Sequence, residues 1–183
     1  MAKVAVFLAD GFEEIEGLTV VDILRRESID TDMISIMGSK TITGAHDIKV
    51  EADILYEDAD IDSYDMLVLP GGGPGTKNLK AFTPLHENIK AFNSKGMNIA
   101  AICAAPTVFG MLGLLNGKNA CCYETCEPEL TGANVLRDEV VVDGNIITSR
   151  GMGTAIAFGL KLVEIIKDKQ TADTLGKNLM YRL

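Results

Sequence analysis

Two hydrophobic rhythms alternate along this chain. Val4-Ala5-Val6-Phe7-Leu8-Ala9 is a continuous apolar, β-branched run, the pattern of a strand covered on both faces in a parallel sheet. Asp10-Gly11-Phe12 interrupts it. From Glu13 the apolar positions Ile15, Leu18, Val21 and Leu24 recur at helical spacing, ending in Arg25-Arg26, cations suited to a helix C-terminus. Asp32 to Met37 predicts a second strand, and Lys40 to Ile54 alternates around Thr43-Gly44-Ala45-His46 as a hairpin or excursion from the main sheet. Met66-Leu67-Val68-Leu69 predicts another buried strand, closed by Pro70-Gly71-Gly72-Gly73-Pro74-Gly75. Helices are predicted over 76–81 and 85–94, a strand over 97–102, and a helix beyond Cys103 through Leu115. Asn119 to Tyr123 predicts a short fifth strand. Glu139 to Thr148 reads as a hairpin about Asp143-Gly144, followed by helices from about Thr154 to Lys167 and from about Thr171 to Met180.

This alternation predicts an α/β fold with a mostly parallel sheet and helices on both faces. No repeat, low-complexity tract or linker divides the 183 residues, which are read as one domain. With 47% hydrophobic and 23% charged residues there is enough apolar material for a core, which excludes disordered and fibrous classes. Seventeen Lys and Arg against 26 Asp and Glu leave a net charge of −9. Such a surface repels phosphate backbones and anionic lipid headgroups, so neither nucleic acid nor membrane is expected as a partner. No apolar run approaches the roughly 18 residues needed to span a bilayer. The run from Val4 to Ala9 is too short for a signal-peptide core and has no cleavage site behind it, so a cytoplasmic location is expected. The four cysteines, at 103, 121, 122 and 126, make no disulfide framework and are expected as free thiols. The C-C-x-x-x-C spacing is not a zinc pattern, and neither a metal nor a cofactor is expected.

In open α/β sheets, chemistry gathers at the carboxyl ends of the strands. Cys103 follows the strand over 97–102 and precedes Ala104-Ala105-Pro106. This is the strand–nucleophile–helix order of an elbow, with small residues where the turn is tight and proline where a first helical turn tolerates it. A thiol at a helix start is expected to have a lowered pKa. Gly71-Gly72-Gly73 leaves backbone N–H groups free for an anion pocket. It is neither a dinucleotide fingerprint nor a Walker loop. Glu16 lies early in the first helix, where its phase points it into the crevice. Glu13 and Glu14 read as solvated charges at a helix start. A thiolate beside a carboxylate is costly, so the pair is expected to share a proton, with protonated Glu16 donating to the Cys103 sulfur.

Four segments together carry a resemblance: Asp10-Gly11-Phe12-Glu13-Glu14-Ile15-Glu16, Leu69-Pro70-Gly71-Gly72-Gly73, Ala100-Ala101-Ile102-Cys103-Ala104-Ala105-Pro106 and Thr148-Ser149-Arg150-Gly151-Met152-Gly153-Thr154-Ala155. In this order they resemble the DJ-one branch of the ThiJ/PfpI superfamily, which has the class I glutamine-amidotransferase-like fold, over essentially the whole chain. The resemblance implies a flavodoxin-like three-layer sandwich, a homodimer, a reactive cysteine at Cys103 paired with a protonated glutamate at Glu16, and anion-stabilising amides around Gly72 and Ala104. It implies activities that include a cofactor-independent glyoxalase converting methylglyoxal to lactate, a protein deglycase, oxidative-stress sensing through cysteine sulfinate, and chaperone activity. Other branches are intracellular peptidases or amidases.

This chain departs from many relatives by carrying Tyr123, followed by Glu124, where a histidine lies close to the cysteine. Of its two histidines, His86 is expected at the surface. His46 lies in the hairpin, at a position the family uses near the dimer interface. A peptidase triad therefore lacks an evident base. Cys122, at the end of the fifth strand, is a candidate resolving thiol for Cys103. The reading is a Cys103–Glu16 site acting on methylglyoxal or a similar small aldehyde. Its rivals are a redox sensor or chaperone-like protein without turnover and, behind them, a peptidase or amidase.

Overall fold

The computed structural model describes residues 2–182. In chain order the regular elements are β1 (Lys3–Leu8), α1 (Glu14–Arg26), β2 (Asp30–Ser35), β3 (Thr41–Thr43), β4 (Lys49–Glu51), β5 (Ile54–Leu55), β6 (Met66–Leu69), α2 (Gly73–Ala81), α3 (Thr83–Ser94) and β7 (Asn98–Ile102). They continue with α4 (Pro106–Met111), β8 (Asn119–Ala120), β9 (Asn134–Val135), β10 (Val140–Asp143), β11 (Ile146–Ser149), α5 (Ala155–Ile166) and α6 (Lys169–Asn178). Seven strands form the central sheet in the order β10-β11-β7-β6-β1-β2-β5. All neighbours are parallel except the β10–β11 hairpin at one edge.

The apolar runs are continuous because the sheet is covered on both faces. Within β1, Val4, Val6 and Leu8 enter one core layer with Val20, Leu24, Phe158 and Leu162. Ala5 and Phe7 enter the other with Leu85, Ile89, Phe92 and Phe109. The two-residue period of a strand thus feeds two helical layers at once. In the first layer α1 lies against α5, and α6 packs on α5. Gly159 of α5 permits the close approach: a Cβ there would stand 2.8 Å from Ile23 Cδ1 and 3.2 Å from Ile23 Cβ.

Three predicted elements differ from the structure. The fifth strand does not join the main sheet. Only Asn119 and Ala120 are extended, pairing with β9 in a separate two-stranded ladder. Residues beyond them bond elsewhere, Cys121 N–H to the Thr148 hydroxyl at 2.9 Å and Tyr123 N–H to the Cys103 carbonyl at 2.8 Å. The helix predicted to reach Leu115 stops at Met111, two residues before Gly113 turns left-handed at φ 72°. His86 is buried, with Nε2 3.0 Å from the Leu79 carbonyl oxygen, because α3 folds back on the end of α2. Most of the 40–54 excursion is the β3–β4 hairpin, outside the main sheet as expected, and its last residue, Ile54, begins the edge strand β5. Among the described residues, no helix is long and apolar enough to cross a membrane.

Filling the α1–α5 contact tests this packing. Gly159→Val should lower the free energy of unfolding by about 1–3 kcal/mol through overpacking, measured as a lower urea midpoint at unchanged slope.

Candidate active site

Parallel register brings the carboxyl ends of β11, β7, β6 and β1 side by side. The segments leaving them form one crevice. Cys103 leaves β7 with φ of 66°, a left-handed conformation uncommon for any side chain other than glycine. This is the sharp turn the elbow reading requires. Its ends are pinned: Cys103 N–H donates to the Ser149 carbonyl at 3.0 Å, and its own carbonyl accepts from Tyr123 N–H at 2.8 Å. The sulfur's residue retains 8% exposure.

Glu16 comes from the first turns of α1 and is wholly buried. Its Oε2 accepts a hydrogen bond from Gly71 N–H at 2.9 Å, and only Gly71 separates the carboxyl from the Cys103 side chain. Oε1 has no partner among the described residues. Burial dominates, raising the Glu16 pKa from 4.5 to about 7, against the opposing bonds from Cys103 and Gly71.

The glycine-rich turn divides its labour. Gly71 serves the carboxyl group, whereas the N–H groups of Gly72 and Ala104 favour thiolate at Cys103. A Cβ on Gly71 would sit 2.5 Å from Glu16 Oε2 and 2.6 Å from Cys103 Cβ, so only glycine fits between the two side chains. Gly72, at φ 92°, lies against the Gly11 carbonyl oxygen and the Glu13 backbone nitrogen. The loops after β6 and β1 therefore meet backbone to backbone.

The expected lowering of the Cys103 pKa by a helix start does not hold. Burial, then the charge of Glu16, push the thiol up to about 12, outweighing the two amides. The helix α4 begins three residues beyond the sulfur and spans only six residues, too short and too distant to reverse this. The carboxyl and thiol are therefore one titrating unit, and protonating Glu16 removes the charge that opposes thiolate.

The remaining sequence candidates fall around this centre. Tyr123 is 43% exposed, and Gly151 lies between its ring and the Glu16 carboxyl: a Cβ there would be 3.5 Å from Tyr123 Cδ2 and 3.9 Å from Glu16 Oε1. Tyr123 and Gly151 also line a cleft of about 280 Å³, with Arg150 and Met152 among its walls. The structure does not bring Cys122 to Cys103. Its sulfur donates to the Tyr123 carbonyl at 3.3 Å and packs in the opposite core layer. His46 is held by Glu14, with Nδ1 2.9 Å from Oε2, and this carboxylate raises the imidazole pKa. Ser149 and Gly151 received no role from sequence. They lie at the end of β11, and the same strand-end rule that singles out Cys103 points to them.

The sequence model of the DJ-1/PfpI family matches residues 2–165. Protein DJ-1 homolog B of Arabidopsis thaliana is 37% identical over 182 residues, covering 98% of this chain. The chain spans 42% of that relative's length. Glutathione-independent glyoxalase DJR-1.2 of Caenorhabditis elegans is 32% identical over 171 residues, covering 91% of this chain and 89% of the relative. Among solved structures, oxidized Toxoplasma gondii DJ-1 superposes with a TM-score of 0.95 at 32% identity, with both chains wholly covered.

Glu16 is protonated more readily in the folded chain than in the unfolded one. Between pH 4.5 and about 7 the folded state keeps a proton that the unfolded state releases, so stability falls as pH rises through this window. The loss should be on the order of 3 kcal/mol, and Glu16→Gln should flatten it in urea unfolding compared at pH 5 and pH 8.

Proposed function

The chain belongs to the DJ-1/PfpI family, and from that premise we propose that it is a cofactor-independent glyoxalase acting on methylglyoxal or a similar small reactive aldehyde. One observation carries the reading: a wholly buried Glu16 carboxyl beside the side chain of Cys103, which sits on a left-handed elbow with only Gly71 between the two. The name of the Caenorhabditis elegans relative supports the same reaction class.

The pair begins with one proton, transferred from the thiol to Glu16. The Cys103 thiolate attacks the aldehyde carbon, forming a C–S bond while the carbonyl oxygen takes up a proton to give a hemithioacetal. Glu16, as carboxylate, then removes the proton from that carbon and returns it to the neighbouring carbon. The hemithioacetal hydroxyl meanwhile gives up its proton to the neighbouring carbonyl oxygen, so that the first oxygen becomes the thioester carbonyl and the second the hydroxyl. The product is a thioester of lactate. Water cleaves its C–S bond, releasing lactate and restoring the shared proton. Methylglyoxal plus water thus becomes lactic acid, with no external oxidant or reductant. The N–H groups of Gly72 and Ala104 stabilise the sulfur anion, and the Tyr123–Gly151 cleft receives the substrate's remaining carbons.

A redox-sensing reading uses the same sulfur. Two equivalents of hydroperoxide would oxidise the thiolate to sulfinate, each reduced to water or alcohol, and protonated Glu16 would donate to the sulfinate oxygen. The similar Toxoplasma gondii structure is that of an oxidized DJ-1, which favours this as the second reading.

A homodimer fits the surface. Ile15 of α1 and Ile48 of the β3–β4 hairpin are 54% and 53% exposed, apolar surface that a second copy would cover. Ile48→Lys should shift sedimentation toward monomer.

Lactate formation from methylglyoxal tests the enzyme reading. Cys103→Ala should fall to background, and Glu16→Gln should lose roughly 10²–10⁴-fold in kcat. The singly protonated pair predominates between about 7 and about 12, so kcat/KM of the wild type should decline as pH drops below about 7. Lactate at the background rate from wild type would end the enzyme reading. A sulfinate mass shift at Cys103 under peroxide would then support the second.

A further inference from the structure

Three side chains unused by this chemistry converge where α1 begins beneath the β3–β4 hairpin. Glu13 and Glu14 were expected as solvated charges, yet they are only 7% and 5% exposed. His46 reaches down to them from the hairpin, its Nδ1 2.9 Å from Glu14 Oε2 and 3.8 Å from Glu13 Oε2. The His46 backbone N–H also donates to Glu14 Oε1 at 2.7 Å.

The Glu13 carboxylate is the informative member. Its side chain is nine-tenths buried and aimed at the imidazole, yet among the described residues it accepts no hydrogen bond, and 3.8 Å is too long for one. Neither acid is paired with a lysine or arginine among the described residues. Glu14 is satisfied by two bonds from His46, whereas Glu13 receives none, and a cation among the three groups would supply its missing partner.

We propose that Glu13, Glu14 and His46 bind one divalent transition-metal cation of the zinc(II) or cobalt(II) type. The three donor atoms all lie within 4.8 Å of one another. A tetrahedral ion with bonds of about 2.0–2.1 Å separates its donors by about 3.4 Å. The two imidazole–carboxylate separations, 2.9 and 3.8 Å, lie on either side of that value. His46 is two-thirds exposed in the single chain, so the fourth position falls to water or to a group of the second copy that covers this junction. Glu14 Oε1 stays with the His46 N–H, a bond that orients the carboxylate. The donor set selects the metal class. An imidazole with two carboxylates suits zinc and its neighbours, whereas calcium requires six to eight oxygens and magnesium retains most of its waters. No spacing rule shows the site in sequence, because His46 is 32 residues from Glu14 and only the hairpin's docking joins them.

Cobalt(II) titration of the full-length protein tests the assignment through its visible d–d bands. The expected result is one equivalent bound without an intense near-ultraviolet sulfur-to-metal band, and affinity weakened at least tenfold in both His46→Gln and Glu13→Gln. His46 is two-thirds exposed, so His46→Gln keeps the fold, which far-ultraviolet circular dichroism verifies. Undiminished affinity in both variants would overturn the proposal. So would a sulfur-to-cobalt band accompanying the single equivalent, which would assign the metal to the thiols.

Discussion

A carboxyl group without access to water must be neutral or well bonded, and the site is arranged around that constraint. Glu16 is wholly buried, receives one N–H from Gly71, and leaves its other oxygen without a partner. Burial therefore holds a proton near neutrality on a residue that would otherwise release it. The Cys103 sulfur beside it faces the opposite difficulty, since burial and a charged Glu16 both oppose thiolate. Each group relieves the other by sharing one proton. Neither the elbow nor the glycine turn achieves this alone.

Backbone geometry makes the sharing possible. The left-handed turn at Cys103 aims its side chain back toward α1, while the missing side chain at Gly71 lets thiol and carboxyl meet. Such strain persists only where surroundings overdetermine it. Here the Ser149 carbonyl and the Tyr123 N–H fix the elbow from both sides. The edge of β11 and the segment after β8 thus support a residue that belongs to neither.

Much of this was readable because strand ends are marked locally. Cys103, the glycine turn and Glu16 each follow an apolar run, and the topology rule for parallel sheets brings them together without knowledge of any contact. Gly151 escaped only because β11 was read as half of a hairpin rather than as a sheet strand with its own outgoing loop. Other features depend on packing between distant segments. His86 is buried by the fold-back of α3 onto α2, Glu13 and Glu14 by the docked hairpin, and Cys122 faces the far core layer because its segment turns to bond Cys103 and Thr148. Hydrophobic periodicity carries no record of such meetings. The thiol's elevated pKa was missed for a related reason: the helix effect is visible in sequence, whereas the depth of burial that outweighs it is not.

The meeting of Gly11, Gly72 and Gly75 has a consequence for how this scaffold changes over time. Gly75 N–H donates to the Gly11 carbonyl at 3.0 Å and Glu13 N–H to the Gly71 carbonyl at 2.9 Å, so these inner loops are cross-braced through their main chains. An added methyl at any of the three glycines would collide with a neighbouring loop. Room for substitution is thereby left at the outer wall of the crevice, Tyr123 to Thr125 and Arg150 to Thr154, which carries none of these braces. New specificities would arise by repainting the rim around an unaltered centre.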